Sequence, residues 1–222
     1  MLLRIIKLGF ASLLAILAIG LIGYTGIEVF SFDVMYQLNG ILFGGFVISF
    51  LSFLSGLLFT SAFHTAKYKQ WSKLVALSLV FIFYLLVITN LLFTSRSYWY
   101  VEPSFNGIWN RLQRGANYIP FKTIIASLRS STGHEIRNLL GNLFLMTPMG
   151  FFLPIYIKKL KSFAPFVITM TVGILIVELV QLITNVGVFD IDDLLLNLLG
   201  AVLFYRLCRT SVVASMIKKI QG

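Results

Sequence analysis

Five stretches of this chain are long and apolar enough to cross a lipid bilayer, which constrains its fold more than any other feature. They are residues 8–27, 41–63, 74–93, 138–157 and 163–183, close to the ~20 residues that a membrane helix requires. Only the last carries a charge, Glu178. A sixth stretch, 191–205, is shorter and would borrow its ends from the interface. Lipid offers no hydrogen-bond partners to a bare backbone, so such stretches cross as helices. The chain is 58% hydrophobic, above the ~45–50% of soluble domains. The expected fold is all-α, a polytopic transmembrane bundle of about six helices. Arg4 and Lys7 precede the first stretch, as in a signal peptide. Its apolar part exceeds the ~7–15 residues of a signal-peptide core and no small-x-small cleavage site follows. It is expected to stay as a helix.

The net charge of +10 would suit nucleic acid if the basic residues were pooled on one soluble face. They are not. Threading six helices from a cytoplasmic N-terminus puts Arg4, Lys7, Lys67, Lys69, Lys73, Lys158, Lys159, Lys161, Arg206, Arg209, Lys218 and Lys219 inside. Glu28, Asp33, Glu102, Glu135, Asp190, Asp192 and Asp193 fall outside, with Glu178 in the outer part of the fifth helix. This is the positive-inside bias that orients membrane proteins, and it predicts both termini in the cytoplasm. The partners expected are membrane lipids, to whose anionic headgroups the basic inner loops are drawn; no nucleic acid is expected. The single cysteine, Cys208, excludes a disulfide framework and reads as a small apolar filler.

The chain divides, on this reading, into three N-terminal helices (1–93), an outer connection (94–137), a core of three helices (138–210) and a basic cytoplasmic tail (211–222). In the N-terminal part Gly20, Gly23, Gly26, Gly40, Gly44 and Gly45 suggest close helix contacts. In the connection, Phe105, Ile108, Trp109 and Leu112 are spaced i, i+3, i+4, i+7, the pattern of a short helix lying in the headgroup region. A second such segment follows Pro120, with Phe121, Ile124, Ile125 and Leu128 apolar. These segments either anchor the loop or form a surface for an anionic headgroup, with Arg111, Arg114 and Lys122 as donors. His64 and His134 are each isolated in sequence and read as solvated.

The polar residues of the last three stretches share a depth. At ~1.5 Å of rise per residue, Glu178 lies ~7 Å, Asn142 ~6 Å and Asn197 ~10 Å from the outer ends of their helices. They also share faces. Glu178 and Gln181 are i, i+3 neighbours, Asn138 and Asn142 are i, i+4, and Asp190, Asp193 and Asn197 are i, i+3, i+7. Asp192 falls off that stripe and is expected to face water. Acidic groups inside a membrane are costly and mark partners or cavities. Three readings fit: interhelical hydrogen bonding alone, a ligand pocket, or catalysis or metal coordination, for which Asp190, Asp193 and Glu178 offer hard oxygen ligands. No metal and no cofactor are expected. Thr147-Pro148-Met149-Gly150 falls in the middle of the fourth stretch, where proline kinks a helix and glycine permits close approach. No P-loop, GxGxxG, HExxH or GxSxG occurs.

These residues carry a resemblance. The run Asn117-Tyr-Ile-Pro120-Phe121-Lys-Thr-Ile, then Asn138-Leu-Leu-Gly141-Asn142 through Pro148-Met-Gly150 to Pro154, resembles the VanZ-like family. Glu178-Leu-Val-Gln181 and Phe189-Asp190-Ile-Asp192-Asp193-Leu-Leu-Leu-Asn197-Leu-Leu-Gly200 complete the pattern, over roughly residues 80–207. Many members have Phe where Met146 stands, and an Arg where this chain has Gly187-Val188, so an anion-binding role for that Arg does not carry over. The resemblance implies a multi-pass protein of the bacterial cell envelope, with a namesake associated with teicoplanin resistance; it names no reaction. The expected role is an outer-leaflet polar pocket for a lipid headgroup, a lipid-linked cell-wall precursor or a lipid-tailed glycopeptide. The alternatives are an enzyme acting on a lipid-linked substrate and a proton-coupled transporter using Glu178.

Overall fold

The computed structural model describes residues 2–30, 38–62, 66–94, 105–130, 133–184 and 186–210. His64, Asp33, Glu102, Lys218, Lys219 and the tail, together with the side chains of Glu28 and Arg114, lie outside the described residues. The described chain is helical: α1 (Leu2–Phe30), α2 (Leu38–Ala62), α3 (Ala66–Thr89), α4 (Phe105–Arg114), α5 (Lys122–Ser130), α6 (Gly133–Leu145), α7 (Met149–Tyr156), α8 (Phe163–Ile183) and α9 (Ile191–Leu207). Among the described residues five spans are long and apolar enough to cross a membrane, at Leu2–Thr25, Gly44–Ala62, Lys67–Phe93, Gly133–Tyr156 and Phe163–Ile183. The sixth helix forms as α9; its 17 residues reach only about 25 Å at ~1.5 Å each. The chain divides into two compact units at Ser95/Arg96.

In the first unit α1, α2 and α3 pack on one another. The inward stripe of α1 is Ala11, Leu14, Ala18 and Ile22, all buried; Ala18 and Ile22 cluster with Ile48, Leu79 and Phe83. Ser55 Oγ donates to the Ala11 carbonyl at 2.9 Å and ties α2 to α1. The glycine expectation is corrected here. A Cβ built at Gly20, Gly23 or Gly44 would meet nothing within 4 Å, whereas at Gly45 it would lie 2.5 Å from the Phe83 ring. Spacing finds small residues but does not say which face of a helix is occupied, and on α1 the stripe through Ala11 and Ala18 is the one in contact.

In the second unit the outer connection is part of the core's fold. The fourth stretch is two helices, since a turn at Met146-Thr147-Pro148 separates α6 from α7 and Pro148 sits at the N-terminus of α7. Proline fits there because its missing N–H would have no helical partner. Two glycines then allow close crossings. A Cβ at Gly200 would fall 1.7 Å from the Leu143 carbonyl oxygen of α6, and one at Gly150 would fall 2.5 Å from the Ala201 carbonyl oxygen of α9. Backbone-to-backbone approach of this kind is how membrane helices gain packing without a hydrophobic driving force. At the other end of the α8–α9 pair, Tyr205 stacks on Phe166 at 4.2 Å and donates its hydroxyl to the Lys161 carbonyl at 2.9 Å. Arg206 lies over the Phe163 ring at 4.1 Å.

Candidate functional site: a polar cavity at the head of α9

Asp190 and Asp192 organise the head of α9. Asp190 is its N-cap and accepts the Asp192 N–H at 2.8 Å. It also accepts from Asn117 Nδ2 at 2.8 Å and from the Thr123 hydroxyl at 2.7 Å. Asn117 Nδ2 donates to Thr123 Oγ1 as well, at 3.0 Å, and the backbones of Asn117 and Asp190 meet in an isolated parallel bridge. Asp192, expected to face water, is instead fully buried. Its carboxylate accepts the backbone N–H groups of Phe121 at 2.5 Å, Thr123 at 2.7 Å and Ile124 at 3.2 Å. These are donors that the first turn of α5 leaves without helical partners, and a carboxylate also suits the positive end of a helix. The turn into α5 passes through Phe121 at φ 65°, a left-handed conformation uncommon for a residue with a bulky side chain.

One turn along, Asn142 Nδ2 donates to Asp193 Oδ1 and joins α6 to α9. Asn197 Nδ2 returns to the Asp193 carbonyl at 2.8 Å, while its Oδ1 is buried with no partner among the described residues.

Between α5, α6 and the head of α9 lies a cavity of about 440 Å³. Asn138, Asn142, Asp190 and Asp193, four of the residues singled out from sequence, line it together with Thr123, Ser127, His134 and Leu139. Asn197 is buried one turn beyond Asp193. Glu178 and Gln181 are buried on α8 and are not among the lining residues. Ser127, 8% exposed, is the most enclosed hydroxyl of the lining, and His134 is at the exposed rim. Sequence reasoning missed Thr123, Ser127 and His134. The signal available was the i, i+4 pair Thr123 and Ser127 on α5, polar positions on an otherwise apolar segment.

The surroundings of the cavity are inverted relative to a soluble protein. On α5 the inward positions are Thr123 and Ser127, while Ile125 and Leu128, and Phe121 just before the helix, are exposed. On α6 Asn142 is buried, while Ile136, Leu140 and Phe144 are exposed. On α4 Phe105 and Trp109 are exposed and stack at 6.5 Å. Apolar-out and polar-in suits elements bathed in lipid. Of the basic residues expected to meet headgroups, Lys122 is exposed. Arg111 is half-buried and donates through Nη2 to the Leu182 carbonyl at 2.9 Å, at the C-terminus of α8.

Among the described residues no lysine or arginine lines the cavity. Its groups are carboxylates, amides, hydroxyls and an imidazole, which together accept hydrogen bonds from hydroxyl or ammonium groups. Among the described residues no three His, Cys, Asp or Glu side chains are grouped to hold a metal ion.

No curated protein and no solved structure matches the chain. A family model described as VanZ/LLP1 matches residues 81–214, more than half of the 222 residues and all of the cavity lining. Spanning helices, the paired motifs around Asn142 and Asp193, and this match agree: the chain is a membrane protein that belongs to the VanZ/LLP1 family.

Proposed function

We propose that the protein works in the envelope of a bacterial cell, in the plasma membrane, and that its cavity receives the polar end of an amphiphilic envelope molecule. The ligand class is a lipid headgroup, a lipid-linked cell-wall precursor or a lipid-tailed glycopeptide of the teicoplanin type. The observation that supports this is the placement of a polar cavity directly behind apolar, outward-facing side chains. Ser127, Asn138 and Asp193 line the cavity, and Ile125, Leu128 and Leu140 are exposed on the same helices. A molecule with a lipid tail and a polar head fits that pairing better than a wholly soluble ligand. In such a role the protein contributes to glycopeptide resistance by binding the drug or its lipid-linked target.

The test separates pocket from scaffold. His134 and Asn138 line the cavity and are exposed, so His134→Ala and Asn138→Ala remove ligand contacts without opening the buried network. A deletion strain complemented with the double variant should differ from wild type in teicoplanin sensitivity at equal protein abundance, with vancomycin sensitivity unmoved. Wild-type behaviour of the double variant toward both drugs, and unchanged lipid-linked precursor pools, would sink the pocket reading. A second reading rests on His134 sharing the cavity with Asp193: an enzyme on a lipid-linked substrate, with His134 as general acid/base. Turnover by purified protein that is lost in His134→Ala decides for it.

A further inference from the structure

The first unit carries a cavity of its own. On α2 the residues Phe53, Gly56, Leu57 and Thr60 are spaced i, i+3, i+4, i+7; on α3 Lys73, Ala76, Leu77 and Val80 repeat the same spacing. The two stripes face one another across a groove of about 280 Å³. The groove exists because its floor is small: a Cβ at Gly56 would lie 2.9 Å from the Ala76 Cβ. Every lining side chain except Thr60 and Lys73 is apolar, and the Thr60 hydroxyl is satisfied by the Leu57 carbonyl at 2.8 Å.

The polar end of the groove is at the α2–α3 turn. Thr60 is close to the end of α2 at Ala62, and Lys73 lies two turns into α3. From there the groove runs seven residues along each helix, about 10 Å at ~1.5 Å per residue, against a leaflet hydrocarbon depth of roughly 15 Å. Lys73 is half-buried, with its stem against the groove. Lys67 and Lys69 sit at the same end, and no Asp or Glu occurs between Asp33 and Glu102. An apolar slot with one ammonium at its mouth, in a field of further lysines, matches one acyl chain and the phosphate above it. Basic pockets between membrane helices recognise anionic lipid headgroups in this way.

We propose that the α2–α3 groove is a binding site for an anionic phospholipid, one acyl chain lying between Leu57 and Leu77 and the phosphate held at Lys73. This site is separate from the cavity at the head of α9 and stands whether or not that cavity binds a ligand.

Native mass spectrometry tests it on the intact chain extracted from vesicles of equal phosphatidylglycerol and phosphatidylcholine. Wild type should retain phosphatidylglycerol in preference. Lys73→Gln should lower that preference roughly fivefold, the effect of one lysine near a lipid surface, while Lys69→Gln, whose side chain is outside the groove, changes it little. Leu57→Trp, at a position 49% exposed, should fill the groove and release the lipid without disturbing α2–α3 packing, which also covers the case of Lys73→Gln failing to fold. Equal retention of both lipids by wild type would overturn the proposal, as would equal losses in Lys73→Gln and Lys69→Gln. So would a Leu57→Trp variant that keeps its lipid but changes oligomeric state, since the groove would then be an interface between copies.

Discussion

The carboxylate of Asp192 lies 2.7 Å from the backbone nitrogen of Thr123, a residue sixty-nine positions earlier. That contact caps α5 from another helix. Together with Asp190, which holds Asn117 and the Thr123 hydroxyl, it makes the outer connection and the head of α9 one structural piece.

Removing the cap should therefore destabilise the second unit sharply. Asp192→Ala leaves three N–H groups in part-buried contacts without an acceptor, and unsatisfied buried donors cost ~1–3 kcal/mol each, so the expected loss is about 3 kcal/mol or more. Asp192→Asn keeps one carbonyl acceptor but turns an amide NH₂ toward other donors, for a loss of roughly 2 kcal/mol. Denaturant unfolding in mixed micelles gives both values. A loss under ~0.5 kcal/mol, the range of an ordinary surface substitution, would show that the cap is not holding α5.

The glycine crossings give a graded series. Gly200→Ala puts a methyl against the Leu143 carbonyl and Gly150→Ala puts one against Ala201; both neighbours are backbone and cannot rotate away. Overpacking costs ~1–3 kcal/mol in well-packed sites, and Gly200→Ala should be the worse of the two because its contact is the shorter. Gly173→Ala, on α8 with nothing within 4 Å, should be neutral or stabilising. Thermal stability in detergent should rank them in that order.

Arg111 links α4 to α8 through the Leu182 carbonyl. A guanidinium at a helix C-terminus also interacts favourably with the helix dipole, typically by ~0.3–1 kcal/mol. Arg111→Ala should raise amide exchange across residues 105–114 while leaving α9 protected. Unchanged exchange in α4 would mean that other contacts hold it.

The sequence made the spans legible because lipid leaves so few ways to cross it. Apolar length alone located α1, α2, α3 and α8, and of the stripe Asp190, Asp193, Asn197 only Asn197 falls among the buried positions of α9. The motif residues Asn138, Asn142, Asp190 and Asp193 do share one cavity. Asp192 misled because its partners are backbone amides far along the chain, which leave no trace in side-chain spacing. Ser127 and His134 were missed for a related reason: α5 and the start of α6 meet α9 only after the 117–121 turn folds back, and nothing local to either residue announces that turn. The glycines of α1 misled because small size is necessary for close approach but does not cause it.

Orientation can be read with the chain's own chemistry. Cys208 is the only cysteine; it is buried, and burial pushes its thiol above the ordinary range, with nearby Arg209 offsetting part of the shift. The thiolate is the reactive form, so at pH 7 wild type should react slowly with a maleimide, and faster only as pH rises toward and past the raised value. Against that quiet background, Arg129→Cys on α5 and Lys159→Cys beyond α7, both exposed positions, report the two ends of the Gly133–Tyr156 span. The charge bias predicts that a membrane-impermeant maleimide labels Arg129→Cys in intact cells and Lys159→Cys only after permeabilisation. The reverse pattern would place the cavity at the head of α9 on the cytoplasmic side, where an external glycopeptide has no access to it.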